Sequence, residues 1–182
     1  MIEREVKLAF ADADTARAAL RTAGAAPLRA RRLQRDTIYD TPDSRLRTAG
    51  RVLRLRDDGG QAFVTLKGPV QQGSMKVREE QESAVEDAGV LAAVFDVLGL
   101  QPAFLYEKYR EEFTLAGAVV ALDETPVGVY MEIEGAEAAI LEVTRALGRT
   151  PRDFNRDSYR AIFLASQTGT GAPVRDMVFP RA

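Results

Sequence analysis

IEREVKLAF, residues 2 to 10, sets Glu3, Glu5 and Lys7 at every second position. The side-chain period of a β-strand is two, so these three charges share one face, with Val6 and Leu8 on the other. Arg4 interrupts the apolar side. One strand of this kind describes only an antiparallel sheet with a wetted face. The fold turns on whether the pattern recurs.

It recurs along the chain. Arg54 and Arg56 alternate with Leu53 and Leu55, and Thr65 and Lys67 with Val64 and Leu66. Arg78, Glu80 and Glu82 share a face, as do Lys108, Arg110 and Glu112. Asp123 stands opposite Val120 and Leu122, and Glu132 and Glu134 alternate with Met131 and Ile133. A wetted face usually mixes in Ser, Thr, Asn and Gln, whereas here it is nearly all ionised. Eight antiparallel strands can close into a barrel, which removes the sheet edges. Apolar strand faces and apolar helices then pack outside, and the charges point into a lumen. Charges in a narrow lumen cost several kcal/mol each unless paired or solvated. The expected fold class is therefore α+β, an eight-stranded antiparallel β-barrel with a charged lumen and helices outside.

The intervening segments agree. ADADTARAALRTAG reads as a helix over about 13 to 23, with Asp12 or Asp14 at its N-cap and Gly24 at its C-cap. PLRARRLQRDTIYDTPD (27–43) is an extended run closed by a turn, and SRLRTAG a short helical turn. Asp57-Asp58-Gly59-Gly60 and Ala116-Gly117 mark hairpins. EDAGVLAAVFDVLG and AEAAILEVTRALG are helices ending at Gly99 and Gly148. DSYRAIFLA (157–165) is a last short helix with Asp157 near its N-cap. Phe95, Phe104 and Phe113 read as core, and Tyr159 as a packed residue at a helix start. Residues 166–182, rich in Gly, Thr and Pro, are expected to be a flexible C-terminal tail beyond a domain spanning 1–165.

Composition narrows the chemistry. The 182 residues include no cysteine and no histidine. Thiolate chemistry, histidine-based triads and histidine zinc sites are excluded. A metal here takes oxygen ligands, pointing to Mg, Mn or Ca. The net charge of −2 offers no global field for nucleic acid or a membrane surface. No apolar run is long enough to span a bilayer, no signal peptide is evident, and a cytoplasmic location is expected.

The lumen acids are Glu3, Glu5, Glu80, Glu82, Asp123, Glu132 and Glu134. Its bases are Lys7, Arg54, Arg56, Lys67, Arg78, Lys108 and Arg110. Guanidinium and ammonium groups clamp phosphate oxygens, and carboxylates hold divalent cations that bridge the same phosphates. A linear triphosphate with Mg²⁺ or Mn²⁺ satisfies both halves.

Glu3-Arg4-Glu5-Val6-Lys7 is similar to the ExExK signature of the CYTH domain, the triphosphate tunnel metalloenzymes. That family includes class IV adenylyl cyclases, thiamine triphosphatases and inorganic triphosphatases. YDTPD (39–43), LRLR (53–56), TLKGP (65–69), REEQE (78–82), EKYR (107–110), ALDE (121–124), GVYMEIEG (128–135) and SYRAIF (158–163) resemble further family motifs in order. The resemblance implies metal-site acids at Glu3, Glu5, Asp123, Glu132 and Glu134. It implies phosphate-binding bases at Lys7, Arg54, Arg56, Lys67, Lys108 and Arg110, with Arg78 joining them by its place on the charged face. Lys7, Lys67, Glu80 and Glu82 are the candidate catalytic residues. One departure is Ile38, at a place where family members often carry a tunnel-facing tyrosine.

The expected activity is divalent-metal-dependent hydrolysis of a linear triphosphate: tripolyphosphate, thiamine triphosphate or a nucleoside triphosphate. The alternative is a class IV adenylyl cyclase making cyclic AMP and pyrophosphate from ATP. A non-catalytic polyphosphate- or nucleotide-binding module comes next, although bases alone would serve an anion better than this mixed set. RNA-end binding through RARRLQR (29–35) ranks last, because four arginines on a strand read as its solvated side. A homodimer through an exposed barrel side is left open.

Overall fold

Period-two charge alternation closes the chain on itself. A computed structural model describes residues 1–168 and 176–181. Its strands are β1 (Ile2–Phe10), β2 (Ala26–Asp40), β3 (Val52–Asp58), β4 (Ala62–Lys67), β5 (Lys76–Val85), β6 (Gln101–Leu115), β7 (Ala118–Thr125) and β8 (Gly128–Glu134). They form a closed barrel in the order β1-β5-β4-β3-β2-β6-β7-β8, antiparallel throughout. The helices are α1 (Ala13–Thr22), α2 (Arg45–Thr48), α3 (Ala88–Val97), α4 (Glu137–Ala146) and α5 (Tyr159–Ser166). Among the described residues no helix is long and apolar enough to cross a membrane.

The main core lies outside the barrel. Val6 and Leu8 of β1, Val120 and Leu122 of β7, and Met131 and Ile133 of β8 turn outward. There they meet Ala16 and Leu20 of α1 and Ile140 and Val143 of α4. A second cluster sets Leu55 and Tyr39 against Phe95 of α3. Each fully buried side chain of this size contributes about 1.5–3 kcal/mol. Local signals fix the helix starts. Asp12 caps α1 by accepting from the Thr15 N–H at 2.7 Å, and Asp87 caps α3 from Val90. Ser158, one place beyond the expected Asp157, caps α5 by accepting from Ala161 N–H.

The barrel has two distinct rims. At the first lie the start of β1 and the ends of β5, β3 and β8. At the second lie the starts of β3, β6 and β8 and the ends of β2 and β4. On the second side the wall is thin, because β7 pairs with β6 only from Tyr109 onward. Residues 176–178 take that vacant edge. Met177 N–H donates to the Leu105 carbonyl at 3.0 Å, and Glu107 N–H donates to the Met177 carbonyl at 2.8 Å. The Asp176 carboxylate accepts from Leu105 N–H at 2.8 Å. Met177 is fully buried with Phe104, Tyr159 and Phe163. The rest of the expected flexible tail, residues 169–175 and 182, lies outside the described residues. Met177→Ala should lower the unfolding free energy by about 2–5 kcal/mol, the usual cost of emptying a buried methionine site. Urea unfolding would show it as a lower midpoint at unchanged slope.

Candidate functional site

Residues from both rims line one cavity of about 880 Å³ through the barrel. Every expected site residue lines it except Asp123, which is on the inner face but is covered by Lys108, Arg110 and Tyr159. Their contacts divide them into three groups.

The first group gathers about the start of β1 and the adjoining wall of β4 and β5. Lys67 Nζ lies 2.8 Å from Glu3 and 2.6 Å from Glu80, and Arg78 Nε donates to Glu3 at 2.9 Å. Lys76 Nζ donates to Glu5 at 2.6 Å. Burial opposes ionisation of Glu3, but Lys67 and Arg78 outweigh it and hold the carboxyl well below its usual range. Glu80 goes the other way. Burial raises its pKa, and Glu3 adds to the rise against the pull of Lys67. Glu134 still meets solvent, and among the described residues it has no cationic partner within ion-pair distance. Its pKa is pushed up to about 7 by desolvation and by the carboxylates of Glu3, Glu5 and Glu80.

The second group is the deepest. Asp123 is wholly buried and accepts from Lys108 at 2.9 Å, from Arg110 at 2.7 and 2.6 Å, and from the Tyr159 hydroxyl at 2.7 Å. Arg110 also donates to Glu132. Lys7 Nζ lies 3.0 Å from Glu132 and 3.6 Å from Glu5, so it separates the two groups of acids. The Lys7 and Lys108 ammoniums lie 5.1 and 4.9 Å from the Tyr159 ring centroid. Burial opposes the charge on Lys7, yet Glu132 and Glu5 outweigh it and raise its pKa. Lys108 falls to about 8, first from burial and then from the neighbouring Arg110.

The third group holds the arginines of β3. Arg56 forks onto Asp36 at 2.7 and 3.1 Å, and Arg54 lies 3.5 Å from Asp36 and 3.3 Å from Glu82. Thr65 donates to Glu82 at 2.8 Å. Burial disfavours the Asp36 carboxylate, but Arg56 and Arg54 keep it ionised.

The structure therefore splits the five expected metal-site acids. Glu3, Glu5 and Glu134 stand with Glu80, while Asp123 and Glu132 lie beyond Lys7. Among the described residues no three carboxylates stand ready to ligate one ion. Glu3 and Glu5 are instead held by Lys67, Arg78 and Lys76. The donor set nevertheless fits a hard divalent cation: four carboxylates crowd together, and their mutual repulsion shows in Glu134.

Three features escaped the sequence reading. Asp36, with Gln34 and Ile38, is on the inner face of β2, and Lys76 is two places before Arg78, so the same period-two test identifies both. RARRLQR is not simply a solvated side. Arg32 is two places before Gln34 in unbroken register and shares its inward face, and the register shift between Arg29 and Arg32 brings Arg29 into the cavity as well. Arg32 and Arg29 there pair with Asp58 at 2.6 and 2.8 Å. Tyr159 has no strand signal at all, since it reaches the lumen from the first turn of α5.

A closed antiparallel barrel whose lumen is walled by paired lysines, arginines and carboxylates is the class of structure this chain presents. The chain belongs to the CYTH domain family, whose model matches residues 1–154. A Methanocaldococcus jannaschii protein named as a proposed adenylate cyclase is 28% identical over 170 residues, covering 87% of this chain and 97% of its own. A Vibrio parahaemolyticus structure of similar name superposes with TM-score 0.77 at 18% identity, over 89% of this chain and 97% of that one. A Hippeastrum structure, described as a proposed adenylyl cyclase with a dominant triphosphatase activity, gives 0.64 at 16%, over 91% and 95%. At these identities the two structures speak for the fold. Tyr159 lies beyond the stretch that the family model matches.

Glu134 also gives a pH test of the acid cluster. Its folded pKa lies above the ordinary carboxylate value of 4.5. The folded state therefore holds the extra proton, and stability falls as pH rises from there through about 7. Glu134→Gln should raise the melting temperature of the metal-free protein at pH 8 and leave it nearly unchanged at pH 5. A gain of equal size at both pH values would contradict the crowding.

Proposed function

We propose that this chain is a divalent-metal-dependent phosphohydrolase that cleaves a linear triphosphate bound in the lumen. The observation that carries this reading is the matched tunnel. Basic side chains fit to grip phosphate oxygens are kept charged by carboxylates fit to hold cations, in one cavity large enough for a triphosphate. Such an arrangement contributes little to stability, because burying paired charges costs about as much as their attraction returns.

In this reading Lys7, Arg54, Arg56, Lys67, Arg78, Lys108 and Arg110 turn from their carboxylate partners to the phosphate oxygens. The arginines supply paired donors and the lysines point charges. Glu3, Glu5, Asp123, Glu132 and Glu134 would hold Mg²⁺ or Mn²⁺, which neutralises phosphate charge and polarises the phosphorus–oxygen bonds. Lys7 and Lys67 stabilise charge at the transferring phosphoryl group. Glu80, its pKa raised and 2.6 Å from Lys67, accepts the proton of the attacking water, with Glu82 beside it. Water adds to the terminal phosphorus and the bridging bond breaks, leaving orthophosphate and a diphosphate. Closing the tunnel around a dry, prearranged charge set makes positioning and electrostatics the source of the rate.

A second reading, cyclisation of ATP, is favoured by one feature. Ile38 and Phe104 give the second rim an apolar wall against which a purine could lie. The names of the Methanocaldococcus and Vibrio proteins lean this way, and the activity described for the Hippeastrum protein leans to hydrolysis.

The test is a product assay. Purified protein with Mg²⁺ or Mn²⁺ receives tripolyphosphate, thiamine triphosphate and ATP in turn, and orthophosphate, pyrophosphate and cyclic AMP are measured separately. Orthophosphate release is expected, falling at least about a hundredfold in Glu132→Gln. Cyclic AMP with matching pyrophosphate would establish the cyclase. Metal-dependent binding without turnover would leave a binding module.

A further inference from the structure

Thirteen lysines and arginines line the cavity, and ten of them have a carboxylate within 4 Å. Among the described residues the three without one are Arg47, Arg51 and Arg160, and all three stand at the second rim. Arg47 is on α2, Arg51 immediately precedes β3, and Arg160 follows Tyr159 on α5. The nearest acid in the lining, Asp40, is spent on the backbone. Its carboxylate accepts from the N–H groups of Thr41, Leu46 and Arg47 at 2.8, 2.9 and 3.0 Å. Arg160 is half-buried, with its guanidinium 5.7 Å from the Phe104 ring centroid. Burial and the neighbouring Arg47 charge both work against its own.

The deeper cations are matched by the tunnel's own acids, so the unmatched trio marks where the wall expects an anion from outside. Thr65, Arg54 and Val52 lead from the lumen to this rim along β4 and β3. A phosphate chain held by the deep cations would emerge between the three arginines. We propose that the second rim is an extension of the phosphate track, and that the chain takes linear inorganic polyphosphates longer than three phosphates in preference to tripolyphosphate. The inference rests on the triphosphate reading above and extends its phosphate track outward. Arg160 and Arg47 grip the fourth phosphate, and Arg51 the groups that follow it.

Calorimetric titration of the full chain, with Ca²⁺ as the divalent ion, tests this. The ligands are tripolyphosphate, linear tetrapolyphosphate and ATP. Wild-type protein should bind tetrapolyphosphate about tenfold more tightly than tripolyphosphate, the worth of one charge-assisted contact. Arg47→Ala/Arg51→Ala should keep tripolyphosphate affinity within about twofold and lose the tetrapolyphosphate advantage. Both side chains are exposed, and the Arg47 N–H that Asp40 holds is retained, so the variant keeps its fold. Equal wild-type affinity for the two polyphosphates overturns the extension while leaving the triphosphate reading intact. So does an advantage that survives in the double variant, or a loss confined to ATP, which would make the rim a nucleoside site. A wild-type protein that binds no tripolyphosphate overturns both.

Discussion

A charge removed from water needs a counter-charge, and that rule organises this molecule. Lys7, Lys108, Asp36 and Asp123 are almost completely buried, and each touches at least one group of opposite sign. The pairing reaches across strands. Glu3 of β1 meets Lys67 of β4 and Arg78 of β5, and Lys7 of β1 meets Glu132 of β8. These links tie neighbouring strands, or in Lys67 a strand one further along, so the wall is fixed on its inside by ion pairs and on its outside by oil. Removing one partner would leave the other buried and alone, which is far costlier than losing a surface pair.

The inner and outer faces do different work. The outer face supplies folding energy through Val6, Leu8, Val120, Leu122, Met131 and Ile133 packed under α1 and α4. The inner face supplies little, and its composition follows what it must hold. That division lets members of one family share a barrel while differing in chemistry. Under the proposed reading, which phosphorus is attacked would depend on where a chain of phosphates stops along the lumen, and groups at the rims would set that position.

Most of this was readable one residue at a time. Glu3, Glu5 and Lys7 fix the inner face of β1 by parity alone, and the same parity carries through β3, β4, β5, β6 and β8. The outward packing followed from the opposite parity. Asp36 and Lys76 obey the same rule and were overlooked, not hidden. Arg32 follows the same parity too, whereas Arg29 is a different case: a bulge in β2 breaks the period, and nothing local in RARRLQR announces it. Tyr159 is unreadable for a third reason, because a helical residue enters the lumen only through the placing of α5 over the second rim. The docking of Met177 likewise depends on a vacant strand edge that exists only once β7 has ended.

A barrel whose strands pair into a closed ring also dictates traffic. No strand can peel aside to admit a ligand sideways, so whatever reaches Lys7 and Lys108 has come in lengthwise from a mouth. The two mouths differ: the first pairs its cations, as Arg29 and Arg32 do with Asp58, and the second leaves Arg47, Arg51 and Arg160 without a carboxylate partner among the described residues.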